Sequence, residues 1–403
     1  MREKPVDCDR EAARLLQIQT GTGRPRLADR ALIIAFAAFL GAFALLFWLL
    51  PDRAASETEN RALRERPAFS WKALADGSFT AEFAEYMADQ FPARDFFVHL
   101  KAASEAALGR GGNNGVLFGR GGTLAARQDT PNLTNLETNL AAAAHFAARC
   151  GVPATFAVAG RTMDVLDADL PALYGSECAD EFWDTLHEKS AAAGLVLLDL
   201  RAPLRARAAD GEYVYYRTDH HWTTLGAYYG AADILAAMGK TAAPLADYTR
   251  ETASDAFYGT TWSTAGAAWI APDTLAFFRF AGDEDFTVAV ADDGSSMAGL
   301  YDRSYLEKKD KYSAFLGGNH ALATVTKPGE ARETLLIVKD SFAHAAAPFL
   351  AREYDLVLVD ARYYHRRIAD LIGEYGVDRV LFLVNADSLT ASAVWRVLDA
   401  GLD

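Results

Sequence analysis

The chain has 403 residues, 51% hydrophobic and 23% charged, which is ordinary globular composition and enough to bury a sizeable core. Its formal charge is −14, and beyond residue 53 it carries 48 acidic against 32 basic side chains. That balance disfavours a nucleic-acid partner, whose phosphates require positive counter-charge.

Residues 1–30 form a hydrophilic leader. Residues 31–51, ALIIAFAAFLGAFALLFWLLP, hold no charge and as a helix reach about 30 Å, the thickness of a bilayer's hydrocarbon core. An uncleaved transmembrane anchor is expected, because a secretory signal has a shorter apolar region of ~7 to 15 residues and no such leader. Arg24, Arg26 and Arg30 before the span, against Arg53 and Arg61 after it, favour an inside N-terminus with residues 1–30 as a cytoplasmic tail. Everything after the span is then extracytoplasmic. Cys8 would face the cytoplasm, whereas Cys150 and Cys178 would share the oxidising side, as one disulfide or two buried free thiols.

Residues 52–78, including SETENRALRERPAFSW (56–71), read as a polar, proline-punctuated linker. From Phe79 to Leu108 apolar residues recur at helical spacing, broken at DQFPARD (89–95), where Pro92 ends one helix and starts another. The glycine-dense LGRGGNNGVLFGRGGTL (108–124) suits turn, short strand and turn. A phosphate-cradling loop would instead need a preceding strand and a following helix.

A βαβ rhythm follows: helix 131–149, strand 153–159, helix 179–193, strand 195–200, helix 223–237. It resumes with strands at 334–338, 355–360 and 379–384 and helices from Phe342, over 362–375 and from Ser388. Five strands with crossover helices predict one α/β domain over 79–403, a mainly parallel sheet covered on both faces. Within it, about 240–330 reads as an irregular insertion, of the kind that serves as lid or binding subregion.

Two stretches carry candidate chemistry. In YVYYRTDHHWTTLGAYYG (213–230), Asp219 and His221 stand two apart at the end of an extended segment, so their side chains point the same way as an orienting acid and a base. In TLLIVKDSFAHAAAPFL (334–350), a strand runs into Lys339, Asp340 and Ser341 and then a helix. That turn exposes a nucleophile at the carboxyl edge of a parallel sheet, although it lacks the G-x-S-x-G pattern. Ser341 is equally a plain helix cap by residue type. At a helix N-terminus its backbone N–H would also face a developing oxyanion.

A metal is the competing use of the Asp-His-His cluster. Adjacent histidines diverge on an extended segment, and neither HExxH nor a second His/Cys cluster occurs, so no metal is assigned and His220 is read as a neighbour. His344 lies near Ser341 on the helix but lacks a fixed carboxylate. Trp222, Gly318 and Asn319 (in the loop from Gly317), and Asn385 at the end of the last strand are candidate substrate contacts.

In order along residues 55 to 390, SETENRALRERPAFSW, DQFPARD, VLFGRGGTL, YYRTDHHWTTLGA, DKYSAFLGGN, KDSFAHAAAPFL and DARYY (360–364) resemble the DHHW family of bacterial cell-envelope proteins. That family is similar to the SGNH-hydrolase-like alginate O-acetyltransferases. The resemblance implies a three-layer SGNH-hydrolase-like α/β domain behind one transmembrane helix, with Asp219 orienting, His221 as base and Ser341 as nucleophile for moving acetyl groups onto an exported polysaccharide. It also implies a membrane-bound O-acyltransferase as acyl supplier, a cell-surface glycan as acceptor and no soluble cofactor. Two features depart from it: the order Asp, His, Ser differs from ordinary SGNH hydrolases, and VAGRTMDVLDADLP (158–171) lacks the expected proline-lysine form, leaving Arg161 without a role.

Two alternatives accompany this reading. Water in place of a sugar would make the same triad a carbohydrate esterase. A non-catalytic glycan-binding or scaffold protein would use exposed aromatics such as Tyr258, Trp262, Trp269 and Phe277.

Overall fold

The computed structural model describes residues 27–59, 61–127, 130–171 and 177–399, the side chains of 177–179 excepted. Residues 1–26 of the leader, with Cys8, Arg24 and Arg26, and the Cys178 side chain lie outside the described residues, whereas residues 27–30 begin the first helix. Cys150 is a buried free thiol. The chain divides into two units, residues 1–55 with 62–94 and residues 56–61 with 95–403.

In the first unit, helix α1 (Leu27–Leu49) buries none of its side chains and is long and apolar enough to cross a membrane. The stretch read as a linker is more ordered than its composition suggests. Ser70 caps a short helix, Trp71–Ala75, and α2 spans Ser78–Asp89. Tyr86 on α2 is fully buried and donates its hydroxyl to Asp52 at 2.8 Å while accepting from Arg66. This pairing of side chains far apart in sequence is what fixes the segment.

In the second unit, α3 (Arg94–Ala107) begins two residues beyond Pro92, and a small antiparallel sheet (Gly112–Asn113, Val116–Phe118, Leu124–Ala126) forms at the glycine-dense stretch. The large sheet contains β1 (Ala154–Ala159), β2 (Leu197–Asp199), β3 (Thr287–Val290), β4 (Ser296–Ala298), β5 (Leu322–Thr326), β6 (Thr334–Lys339), β7 (Asp355–Val359) and β8 (Arg379–Asn385). Their spatial order is β4-β3-β5-β7-β6-β8-β1-β2. The five strands expected from sequence are its parallel part.

Strand β6 shows why these segments read as continuous apolar runs. Side chains alternate across a strand, and here Leu335 and Ile337 enter one core while Leu336 and Val338 enter the other. Helices α4 (Leu133–Arg149) and α5 (Glu177–Ala192) cover the second face, and α6 (Thr224–Ala237) and α8 (Phe342–Leu350) the first. The result is a three-layer α/β domain with its main catalytic candidates at the carboxyl edge of β6.

The insertion at about 240–330 is not irregular. It supplies the antiparallel edge β3, β4 and β5 and a separate hairpin, Thr249–Phe257 with Asp273–Arg279, that encloses the short helix α7 (Thr260–Ala265). Register shifts at Thr252/Ser254 and Ser254/Phe257 break the alternation that marks a strand in sequence. After β7, only Asp370–Glu374 of the expected 362–375 helix is helical. The buried Asp360 carboxylate accepts from the Arg362 backbone and guanidinium, holding a turn there instead.

Candidate active site

The segment carrying Asp219 and His221 is a tight hairpin rather than an extended run. Tyr215 pairs with Trp222, and the Tyr216 N–H donates to the His221 carbonyl. At its tip the Asp219 Oδ1 accepts from the His221 backbone N–H at 3.0 Å and from its ring Nδ1 at 2.5 Å. The two side chains therefore meet through a local carboxylate turn, not through strand alternation. With the proton on Nδ1, the opposite nitrogen is an acceptor, and the Ser341 Oγ lies 2.7 Å from it.

Ser341 does not cap α8. The Asp340 carboxylate does so, accepting from the Phe342 N–H at 2.9 Å, while its other oxygen accepts from the Asn385 N–H and the Ser388 hydroxyl at 2.6 Å each. This leaves the Ser341 hydroxyl for His221, and among the described residues no acceptor takes the Ser341 backbone N–H. A serine, an imidazole and an ionised carboxylate in that linear order form an arrangement able to generate an alkoxide-like nucleophile.

The segment read as irregular builds the support for this row. Asp219 Oδ2 accepts from the Thr260 N–H at 2.8 Å and its hydroxyl at 3.1 Å. Fully buried Asp273 accepts from the Thr218 N–H at 2.8 Å and hydroxyl at 2.6 Å, and from Tyr213. Burial works against charge on Asp219, but His220, His221 and the Thr260 N–H outweigh it and hold the carboxyl well below its usual range.

Tyr312 is the residue that reading by motif chemistry missed. Its ring stacks on the His221 imidazole with centroids 3.8 Å apart and planes 10° from parallel, and its hydroxyl donates to the Ser341 carbonyl at 3.3 Å. It lies within DKYSAFLGGN, but no spacing rule links a tyrosine to a histidine ninety-one positions earlier. Tyr312→Phe, which keeps the stack, is expected to retain kcat within about threefold, and Tyr312→Leu to lower it about 10- to 100-fold at unchanged KM. Equal losses in the two variants would show that ring stacking is not what matters.

Other candidates fall differently. Trp222 is fully buried, donates its indole N–H to the Phe342 carbonyl at 3.0 Å and lies so close to Gly230 that a Cβ there would come within 2.7 Å of its ring. It joins the hairpin to α8 and offers no face to a substrate, a correction to its reading as a contact. The Asn385 amide donates to the Gly160 carbonyl at 2.9 Å and its oxygen accepts from the Asp387 N–H at 3.0 Å, so it too is committed to backbone. The Gly318 N–H goes to the Phe315 carbonyl, leaving exposed Asn319 as the free member of that loop. Arg161 is buried against Asp164 at 2.7 Å. Of the aromatics, Phe277 is core and Trp269 is exposed.

The ligand atoms of Asp219, His220 and His221 lie within 4.8 Å of one another, close enough for a metal. The same atoms are engaged in hydrogen bonds: besides the row above, His220 Nδ1 bonds the Thr260 hydroxyl at 2.7 Å.

His344, buried on α8, accepts from the Lys339 ammonium at 2.8 Å, and Lys339 reaches Asp360 at 3.4 Å. Burial first, then Lys339, hold the His344 imidazole far below its ordinary value. The folded state therefore refuses a proton that the unfolded chain takes up. Unfolding free energy is expected to fall as pH drops below about 6.5, by at most about 1.4 kcal/mol per pH unit from this group. Denaturant titrations across that range should show a shallower loss in His344→Gln, and an identical slope would assign the effect elsewhere.

Residues 204–360 match the DHHW protein family. Over 195 residues the chain is 29% identical to a probable alginate O-acetylase, AlgJ, of Pseudomonas syringae pv. tomato, covering 45% of this chain and 49% of that protein. The chain thus spans about half the length of the curated relatives it matches. Among solved structures it is similar to a DHHW family protein from Eubacterium siraeum (TM-score 0.59, 23% identity, 71% of this chain and 96% of that one). It is also similar to Bacillus cereus PatB1, solved with a sulfonyl adduct (TM-score 0.57, 19% identity, 69% and 98%). These structures share the three-layer α/β fold, and the chain resembles the DHHW family as its motifs indicated.

Proposed function

We propose that this chain, similar to DHHW proteins and alginate O-acetylases, is a membrane-anchored, extracytoplasmic O-acyltransferase that moves an acetyl group onto a cell-surface polysaccharide. The observation that carries this is the Asp219–His221–Ser341 row, with contacts of 2.5 and 2.7 Å. Ser341 Oγ attacks the acyl carbonyl as its proton passes to His221 Nε2, and the Ser341 N–H faces the tetrahedral oxyanion. Collapse expels the donor's leaving group, which takes the proton back from His221. A sugar hydroxyl then attacks the seryl ester, again giving its proton to His221, and Ser341 leaves reprotonated with the acetyl now on the sugar.

Helix α1 anchors the chain with its N-terminus inside. One span cannot carry an acyl group across a membrane, so a membrane-bound O-acyltransferase supplies it. Asn319 on the exposed loop is the remaining motif-derived candidate for acceptor contact.

The test uses the purified full chain, a chromogenic acetyl ester and an oligosaccharide acceptor. Acetylated oligosaccharide, together with acceptor-dependent turnover, is the expected product pattern. Acetate release that ignores the acceptor would instead make the protein an esterase, and the absence of both in a folded protein would leave a glycan-binding or scaffold role.

A further inference from the structure

The first unit carries an apolar surface that the catalytic reading does not use. Trp48 at the end of α1 is 60% exposed, Phe69 55% and Trp71 78%. Leu74, Met87 and Phe91 are exposed as well. Isolated exposed apolar residues are common, and Phe96, Leu108 and Trp269 are exposed in the second unit, but these six are large, mostly aromatic and fall within residues 48–91 of the first.

Packing fixes where they lie along α1. The Phe91 ring stacks on Phe43 with centroids 5.3 Å apart, and Tyr86 meets Phe47 edge-on at 5.6 Å. Residues 86–91 therefore run beside the last two turns of α1. Phe43 stands six residues before Leu49, which at the helical rise is about 9 Å inside the end of the apolar stretch. Phe69 continues the cluster, in contact with Trp71 and Phe79 at 5.2 Å each. Arg66 lies over the Trp48 ring at 5.2 Å, a cation beside an amphipathic ring. Tryptophan bodies with polar tips, arginine and an amphipathic helix at the end of a span make up the chemistry of a bilayer interface.

We propose that Trp48, Phe69, Trp71, Met87 and Phe91 form a collar seated in the headgroup–acyl boundary of the leaflet from which α1 emerges. It rests on the reading of α1 as a membrane anchor and adds a second lipid contact. The part of the first unit that follows the span is then held at the bilayer surface rather than on a free tether.

The full chain is reconstituted in phosphatidylcholine–phosphatidylglycerol vesicles, with ordinary acyl chains or with chains brominated near the headgroup. Subtracting the emission of Trp71→Phe or Trp48→Phe from that of the unaltered chain isolates each indole. Because Trp71 is exposed and Trp48 lies at a helix end, neither substitution opens the core. Trp71 emission is expected to fall about twofold or more in brominated vesicles, in parallel with Trp48. Quenching of Trp48 with Trp71 unchanged would overturn the collar and leave the anchor standing. With neither quenched and the chain not floating with the vesicles, the anchor reading fails and the collar with it.

Discussion

Replacing Ser341 by alanine is expected to lower kcat for acetyl transfer by about 10^4-fold or more while leaving the fold intact. Both halves of that expectation follow from the geometry. The Ser341 hydroxyl has His221 as its partner at 2.7 Å, whereas the cap of α8 comes from Asp340. Losing the hydroxyl removes the proposed nucleophile but no bond that caps the helix. The change in unfolding free energy should lie within about 0.5 kcal/mol. Because the row acts as a unit, Ser341→Ala with His221→Ala should be no slower than Ser341→Ala alone. A Ser341→Ala protein that keeps a tenth of its transfer activity would remove Ser341 from the mechanism.

Gly259→Ala should also lower the rate strongly, although Gly259 lies outside the row itself. A Cβ at Gly259 would stand 2.2 Å from the Asp219 Cβ and 2.3 Å from its Oδ2, inside any allowed contact. Gly259 has ordinary backbone angles, so the requirement is one of space and not of conformation. Asp219 cannot give way freely, because Thr260 and His221 grip both its oxygens. Displacing a catalytic group by about 1 Å costs roughly 100-fold in rate, and forced overpacking costs about 1–3 kcal/mol of stability. The measurement is kcat and KM on a small acetyl ester beside a denaturant titration. A variant with full kcat would mean that the Asp219 position tolerates far more movement than its contacts suggest.

The strands and the two halves of the site were legible for different reasons. Strands β6, β7 and β8 are buried on both faces, so Leu335 to Val338, Leu356 to Val359 and Val380 to Val384 appear as unbroken apolar runs. The partnership of Asp219 and His221 was visible because it is local, two residues apart, although the side chains meet through a turn and not by alternation. Trp222 was misread because a tryptophan beside a histidine looks the same in sequence whether it lines a cleft or fills a core. Here Gly230 leaves room for its ring against α6.

The support around the row was illegible. Thr260, Asp273 and Tyr312 lie in short or bulged elements between 249 and 315, where no periodicity survives, and each acts on a residue 29 to 91 positions away. Local sequence, through apolar periodicity and turn chemistry, determined the five parallel strands, that α1 is uncharged from Ala31 to its end, and that a carboxylate would meet an imidazole. Tertiary structure alone decided that the Ser341 hydroxyl faces that imidazole and does not cap its own helix. The outcome depends on Asp340 occupying the helix N-terminus and on Tyr312 and Thr260 closing on the hairpin from the far side, and such competition between partners distant in sequence is settled only by packing.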